Sequence, residues 1–245
     1  MSSVQISAFP KCYLDEIAIF RTLSLFDWIE MAKGLDADGL ELYEGFFTSF
    51  EPGYLDSVGE ALQAAGFQMP MLCCSPDFIH RDRDKRKEQV DREIQMVGIA
   101  RRLGGPGVVC RILSGQRHPE VGVEEGLEWV IECIQQVLPA AREYGVVLGL
   151  ENHYKDGAWT YPEFAQKKEI FLRILDAIPD RENFGVQYDP SNALVAGDDP
   201  VALLDAVVER VVSMHASDRY LADGANLDDL RQSDGTLGYS PALKH

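Results

Sequence analysis

The sequence predicts an α/β fold, a (β/α)8 TIM barrel in which the last strand and helix are not apparent in this chain. The main observation is that short apolar runs alternate with longer amphipathic segments, in one order, seven times along the sequence. Such alternation indicates a parallel sheet covered by helices, and the right-handed crossover of βαβ units favours its closure into a barrel. An open doubly wound sheet is the alternative, but neither of its Gly-rich phosphate loops, GxGxxG or GxxxxGKS/T, occurs.

Seven segments are predicted as strands because they are short, mostly apolar runs bounded by turn or helix signals. They cover residues 4–9, 39–43, 68–74, 107–113, 146–152, 184–189 and 211–217. The predicted helices cover residues 24–34, 56–65, 84–103, 123–144, 161–177 and 200–209. Ser24 begins the first of these helices as its N-cap, and Gly66 and Gly145 each follow the C-terminal end of a helix.

The residues after Arg219 depart from this pattern. They are polar and rich in glycine, and they show no convincing eighth strand and no final helix. A barrel of this kind usually needs roughly 250 residues, and the chain has 245. We therefore expect a single TIM-barrel domain over residues 1–245 that is incomplete at its C-terminal end, with an exposed apolar edge that favours a homo-oligomer.

The composition argues against several classes of function. The formal net charge is −17, so the surface repels phosphate backbones and anionic membranes, and we expect neither nucleic acid nor a membrane as a partner. The five cysteines are odd in number and scattered, which indicates reduced thiols rather than disulfides or a cysteine zinc site. Since neither a signal-peptide pattern nor a long apolar run is found, the sequence is typical of a cytoplasmic protein.

Polar side chains at the ends of three successive predicted strands indicate a metal site. Glu151 ends the fifth strand, Asp189 the sixth and His215 the seventh. In this fold the carboxyl ends of the strands build the active site, and adjacent strands lie about 4.8 Å apart, so the three side chains can reach one ion. Two carboxylates and one imidazole suit Mn2+, Co2+, Mg2+ or Zn2+ better than copper, and the ion would neutralise the paired carboxylates.

Each of these residues also has an ordinary structural interpretation. Asp189, which precedes Pro190, could start a turn, and His215 could be a core histidine bound to a backbone carbonyl. Glu41, on the second strand, could pair with Arg111 of the fourth strand across the barrel floor. These explanations are independent of one another, whereas a metal site accounts for all three ligand types on successive strand ends, so it is the preferred hypothesis.

Four segments resemble the xylose isomerase-like TIM-barrel superfamily, the sugar phosphate isomerase/epimerase family. They read GLELYEGFF, LGLENH, FGVQYDPSN and VVSMHASD, and the resemblance covers about residues 4–219. It implies that Glu151, Asp189 and His215 are three of four metal ligands, with Mn2+ or Co2+ as the favoured ion and Mg2+ or Zn2+ as alternatives. The fourth ligand in the family is a glutamate from the last strand, and no residue of this sequence matches it.

The resemblance also implies the chemistry of the site. Relatives transfer a proton beside a carbonyl through an enediolate, with a strand-end carboxylate as the acid-base group, which makes Glu151 the candidate catalytic residue here. Five further residues are predicted to bind a small sugar or polyol substrate. They are Glu41, Arg111, His153, Asp218 and Arg219.

We therefore expect a divalent-metal-dependent isomerase or epimerase acting on a sugar or a small hydroxy-carbonyl compound. One alternative stays open because the fourth ligand is not found: a catalytically impaired barrel relative that binds a small ligand or a partner. A DNA-repair enzyme like endonuclease IV, from the same superfamily, needs a histidine-rich trinuclear zinc site and a basic groove. Five histidines and a net charge of −17 do not favour it.

Overall fold

The computed structural model describes residues 4–221 and 243–244, and its centre is a curled sheet of parallel strands. The strands are β1 (Ser7–Ala8), β2 (Gly39–Leu40), β3 (Leu42–Tyr43), β4 (Met71–Cys73), β5 (Val109–Ile112), β6 (Val147–Glu151), β7 (Phe184–Tyr188), β8 (Val211–Met214), β9 (Tyr220–Leu221) and β10 (Leu243–Lys244).

The strand order agrees with the order expected of a barrel. Strands β3 to β8 pair in parallel in sequence order, β1 pairs in parallel with β2, and β9 pairs with β10 in an antiparallel ladder. Because β2 and β3 are the two halves of the predicted strand 39–43, all seven predicted strands are present, each beside its neighbour in sequence. Their carboxyl ends therefore lie at one rim of the sheet.

Among the described residues, eight α-helices join or follow the strands. They are α1 (Leu14–Ala18), α2 (Leu25–Ala32), α3 (Pro52–Ala65), α4 (Arg83–Gly104), α5 (Val123–Tyr144), α6 (Lys168–Ala177), α7 (Pro190–Ala196) and α8 (Pro200–Val207). The predicted caps are confirmed: Ser24 forms a capping box with Asp27 at the start of α2, and Gly66 and Gly145 adopt left-handed conformations after α3 and α5.

One predicted helix boundary is wrong. Residues 161–167 are not helical, and α6 begins only at Lys168, because this segment runs beside residues 115–117 instead. Arg117 N donates to Pro162 O at 2.8 Å and Phe164 N donates to Gly115 O at 2.7 Å. Helices α1 and α7 were not predicted, although α7 has a proline in its first turn and a left-handed Gly197 after its last residue.

The hydrophobic core lies between the sheet and the helices. The fully buried side chains include Leu72 of β4, Leu148 of β6 and Ile134 of α5. All five cysteines are free thiols, and four of them are buried, as their scattered positions predicted. Within the described part of the chain, no helix combines the length and apolar character needed to cross a bilayer.

The last strand of the parallel sheet is its least covered strand. Val212 and Met214 of β8 are 39% and 55% exposed, whereas every residue of β7 is buried. Among the described residues, β8 thus carries exposed apolar side chains, while the incomplete barrel and the homo-oligomer expected from such an edge stay predictions. The expectation of no eighth strand or final helix concerns residues 220–245, most of which lie outside the described residues.

Two helical glycines differ in what an added methyl group would meet. At Gly98 in α4, a Cβ would have no contact within 4 Å outside its own helix backbone, whereas at Gly126 in α5 it would lie 2.5 Å from the ring of Phe164. We expect Gly98→Ala to raise the free energy of unfolding by about 0.5–1 kcal/mol, because alanine favours the helix. We expect Gly126→Ala to lower it by about 1–3 kcal/mol, because the ring must move. Urea denaturation measures both, and equal shifts would contradict this packing.

Candidate metal centre

His215 lies directly after β8 and is surrounded by carboxylates from three other strands. Its Nδ1 lies 3.3 Å from Glu151 Oε1 and 3.5 Å from Asp189 Oδ2, and its Nε2 lies 3.0 Å from Glu41 Oε1. The N–H of His215 donates to Tyr188 O at 2.9 Å, which fixes the height of the ring. The structure thus brings the three predicted ligands together, with one possible ligand atom from each within 4.8 Å of the others.

The strand register explains why these side chains meet. Glu151 lies opposite Gln187 in the β6–β7 pair, and Asp189 follows Gln187 by two residues, so both acids face the same side of the sheet. The β7–β8 register pairs the residues immediately before Asp189 and His215. The three side chains consequently emerge near one level of the rim.

Glu151 is a buried carboxylate with a hydrogen bond at one oxygen and an ion pair at the other. Asn192 Nδ2 donates to Oε1 at 3.1 Å, and the guanidinium of Arg111 lies 3.3 Å from Oε2 through Nη1. Burial alone would raise the pKa of Glu151, but the positive charges of Arg111 and His215 lower it below its ordinary value. The carboxyl group is therefore ionised at neutral pH.

Asp189 uses one oxygen for structure and presents the other to the site. Oδ1 accepts hydrogen bonds from Ser191 Oγ at 2.8 Å, Ser217 Oγ at 2.7 Å and Asn192 N at 3.0 Å, and the last of these caps helix α7. Oδ2 faces His215. Burial alone would raise the pKa of Asp189, but hydrogen bonds from His215, Ser217 and Ser191 lower it.

Glu41 contacts Nε2 of His215, on the side of the ring opposite Glu151 and Asp189. Both of its oxygens lie within 3.2 Å of Nε2 of His215, and Cys73 Sγ donates to Oε1 at 2.9 Å. The alternative pairing of Glu41 with Arg111 is wrong, because His215 occupies Glu41 while Arg111 pairs with Glu151. A carboxylate that accepts from Nε2–H leaves the Nδ1 lone pair directed at Glu151 and Asp189, the tautomer that a metal ligand needs.

These residues fit a divalent cation. Burial alone would lower the pKa of His215, but Glu41, Glu151 and Asp189 raise it well above its ordinary value. A positive charge is thus required beside Nδ1, and either a proton or a metal ion supplies it. One imidazole nitrogen and two carboxylate oxygens form a hard-to-borderline donor set that suits Mn2+, Co2+, Zn2+ or Mg2+.

Two other groups of three possible ligands occur in the part of the chain that the structure describes. They are Glu41–Cys73–His215 and Cys74–Glu93–Cys110. The first shares the His215 ring with the centre above. In the second, burial raises the pKa of the Cys74 thiol and raises that of Glu93 to about 8, so both groups are uncharged at neutral pH. We interpret the second group as a neutral hydrogen-bonded cluster of the core.

The comparison with protein families identifies the fold. Residues 29–245 match the family described as "Xylose isomerase-like TIM barrel". The chain belongs to the xylose isomerase-like TIM-barrel family. This confirms both the predicted (β/α)8 class and the resemblance carried by the four sequence segments. A search of curated proteins found no match.

Solved structures of the same fold include two whose names give them as an epimerase or epimerase-like protein. A D-tagatose 3-epimerase-like protein superposes with a TM-score of 0.71 at 16% identity, covering 95% of this chain and 82% of that one. The 3-keto-D-glucoside 4-epimerase YcjR of E. coli gives 0.67 at 14% identity, covering 97% and 90%. An IolI protein with a bound zinc atom gives 0.67 at 17% identity, covering 90% and 74%. At these identities the likeness concerns the fold.

The residues that the family resemblance adds to the site lie at its rim. The rings of His153 and Tyr154 stack at 5.4 Å, and the guanidinium of Arg219 lies 4.9 Å above Tyr154. Asp218 is exposed and accepts a hydrogen bond from the N–H of Arg219 at 2.8 Å. Burial lowers the pKa of His153 to about 4, so its ring is neutral at neutral pH. The substrate-binding roles of these residues stay predictions.

Sequence reasoning missed the hydrogen-bonded groups that support the ligands. Asn152 Nδ2 donates to Asp189 O at 2.7 Å, and Asp189 N donates to Asn152 Oδ1 at 2.8 Å. Asn192 bonds to both Glu151 and Asp189, and Ser217 bonds to Asp189. Asn152 and Asn192 both lie near predicted ligands, within the segments that resemble the family. Their position in those segments was the sequence signal that could have identified them.

The reciprocal bonds of Asn152 provide a test of this support. Asn152→Ala removes both partners of the Asp189 backbone at a buried position, so we expect the free energy of unfolding to fall by about 2 kcal/mol or more. Gln136→Ala, on the exposed face of α5, is the control and should change it by less than about 0.5 kcal/mol. Urea denaturation measures both variants, and an unchanged midpoint for Asn152→Ala would contradict the role of the side chain.

Proposed function

We propose that this chain is a divalent-metal-dependent isomerase or epimerase of a sugar or a small hydroxy-carbonyl compound. The observation that supports it is the meeting of Glu151, Asp189 and His215 at successive strand ends, in a chain of the xylose isomerase-like family. The names of two neighbours, a tagatose epimerase-like protein and a keto-glucoside epimerase, support a sugar substrate.

The same three residues would hold the ion, through Glu151 Oε1, Asp189 Oδ2 and His215 Nδ1. When bound, a divalent cation supplies Lewis-acid polarisation of substrate oxygens. We favour Mn2+ or Co2+, while the zinc atom in the IolI neighbour supports Zn2+ as an alternative, and Mg2+ also suits two carboxylates. Glu41 would keep the imidazole in the required tautomer.

The proposed reaction is a proton transfer at the carbon beside a carbonyl. Glu151, ionised at neutral pH, would remove the proton from that carbon and leave an enediolate. Returning the proton to the neighbouring carbon, while the hydroxyl proton passes to the former carbonyl oxygen, gives an isomer. An epimer would require a second acid to protonate the opposite face of the enediolate. Arg111 forms an ion pair with Glu151 through Nη1 at 3.3 Å, and its Nε has no hydrogen-bond partner among the described residues, so we assign Nε as a donor to a negatively charged substrate oxygen.

Metal binding tests the site directly. The purified chain should bind Mn2+ or Co2+ near one equivalent, as measured by isothermal titration calorimetry and by elemental analysis after dialysis. Glu151→Ala, Asp189→Ala and His215→Ala should each weaken binding by more than roughly 100-fold, because each removes a ligand.

Glu44→Ala is the matched control for this experiment. Glu44 stands at the same rim, but its carboxylate pairs with Arg92 at 2.9 Å and accepts from Ser75 N at 3.1 Å. Its replacement should leave the affinity for the ion unchanged. Equal affinities across the wild type, the three ligand variants and this control would contradict the metal centre.

Hydrogen exchange tests the reaction even when the product is unknown. The metal-loaded chain in D2O should place deuterium on the carbon beside the carbonyl of at least one ketose from a panel of D-fructose, D-tagatose and dihydroxyacetone, observed by NMR. Exchange should be absent with Glu151→Ala. Stoichiometric metal binding without exchange across the panel would instead favour the impaired relative that only binds a ligand.

A further inference from the structure

Gln187 of β7 is a buried amide beside the proposed metal centre, and the proposed reaction does not use it. Its Cα pairs with that of Glu151 on β6, and Asp189 follows two residues later, so all three side chains lie on one face of the sheet. The residue before Gln187, Val186, lies in the core that contains the helix side chains. Gln187 therefore points to the opposite face, into the barrel, at the level of Glu151.

Both polar atoms of the Gln187 side chain lack a hydrogen-bond partner. Oε1 and Nε2 are each buried, and neither contacts a donor or an acceptor among the described residues. Such burial is costly, because the amide loses its hydrogen bonds to water on folding and gains none in return. Native proteins break this rule chiefly at functional sites. The amide thus calls for a role outside the stability of the fold.

Apolar groups lie next to Gln187 on the side toward the amino ends of the strands. A Cβ built at Gly149 of β6 would lie 3.3 Å from Gln187 Cβ, 2.9 Å from Val109 Cγ1 and 3.7 Å from Val212 Cγ2. The three side chains consequently converge on this glycine, and the two valines offer no hydrogen bond. A partner for the amide has to reach it from the carboxyl ends of the strands, which is the side of the proposed metal centre.

Arg111 offers another unpartnered group on the other side of Glu151. The two residues and Gln187 lie on β5, β6 and β7, which are adjacent in this order. Arg111 Nε can only donate, whereas Gln187 accepts through Oε1 and donates through Nε2. A guanidinium suits an oxygen with negative charge, and an amide suits hydroxyl groups, which likewise donate and accept. The two groups therefore match different oxygens of one polyhydroxylated ligand.

We propose that Gln187 is a substrate-binding residue that selects for hydroxyl groups on the side of Glu151 away from Arg111. Oε1 accepts from a hydroxyl proton, and Nε2 donates to a hydroxyl oxygen. A ligand without these hydroxyl groups leaves the buried amide unpaired and is rejected for that reason. The inference rests on the proposed function for the reaction, and it adds the part of the sugar that Gln187 recognises.

Replacement by methionine, which has nearly the same shape, tests whether the amide serves the fold. Gln187→Met removes polar atoms without partners in the described part of the chain, so the midpoint of urea denaturation should stay the same or rise. Gln116→Met is the matched control and should lower it, because Gln116 Nε2 donates to Asp77 Oδ2 at 2.9 Å and Oε1 accepts from Thr160 N at 2.8 Å. An equal fall in Gln187→Met, or its failure to fold, would overturn the inference.

Binding is tested by 1H–15N NMR of the side-chain amides in the whole chain with Zn2+, where the Gln187 signals are those missing from Gln187→Met. Titration with D-fructose, D-tagatose or dihydroxyacetone should shift them saturably in at least one case. Acetone, which has a carbonyl but no hydroxyl, should not, and the signals of Gln136 on the exposed face of α5 should stay in place. Absence of a shift with all three ketoses, or an equal shift with acetone, would overturn the inference.

Deuterium exchange separates this inference from the proposed function. For a ketose that exchanges, Gln187→Met should lose roughly tenfold or more in kcat/KM, the scale of a lost hydrogen bond to the substrate. Exchange at the wild-type rate in this variant would overturn the role of Gln187 and leave the proposed function intact. A saturable shift of the Gln187 signals without exchange of any ketose would do the reverse, because Gln187 would then bind hydroxyl groups in a chain that does not carry out the reaction.

Discussion

The site depends on one electrostatic constraint: a single imidazole is enclosed by three buried carboxylates. His215 meets Glu151 and Asp189 at Nδ1 and Glu41 at Nε2. Acidic groups this close and this buried repel one another unless positive charge lies between them. Arg111 supplies part of that charge beside Glu151, and the remainder has to come from a proton on His215 or from a cation. The proposed metal centre is one way of meeting this requirement.

In two carboxyl groups near the site, one oxygen forms structural hydrogen bonds and the other faces the site. Asp189 commits Oδ1 to capping α7 and to hydroxyl donors, which leaves Oδ2 for the site. Glu163 repeats the division farther along the rim, with Oε1 fixed by Ser114 and Oε2 left toward His153. In both cases backbone N–H groups hold a carboxyl group, so that its second oxygen is oriented before any ligand arrives.

The sequence predicted the features that depend on local periodicity. Seven apolar strands and their parallel order follow from hydrophobic pattern and crossover handedness, and the convergence of Glu151, Asp189 and His215 follows from their places at strand ends. Contacts between loops that are distant in sequence produce no periodic pattern from which they could be predicted. The pairing of residues 161–166 with 115–117 is found where the sequence predicted the start of a helix. Together with the hydrogen bond from Glu163 N to Tyr154 O, it brings Glu163 beside His153. The link from His215 to Glu41 likewise crosses the barrel, and no local pattern distinguishes it from a pairing with Arg111.

The most direct test of the metal centre is the location of a bound ion. Crystals grown with Co2+, with anomalous diffraction measured on both sides of the cobalt absorption edge, should show one peak among Glu151, Asp189 and His215, in contact with Nδ1 of the imidazole. A map with no peak there, or with its peak on the cluster of Cys74, Glu93 and Cys110, would contradict the claim that these three strand ends share one divalent cation.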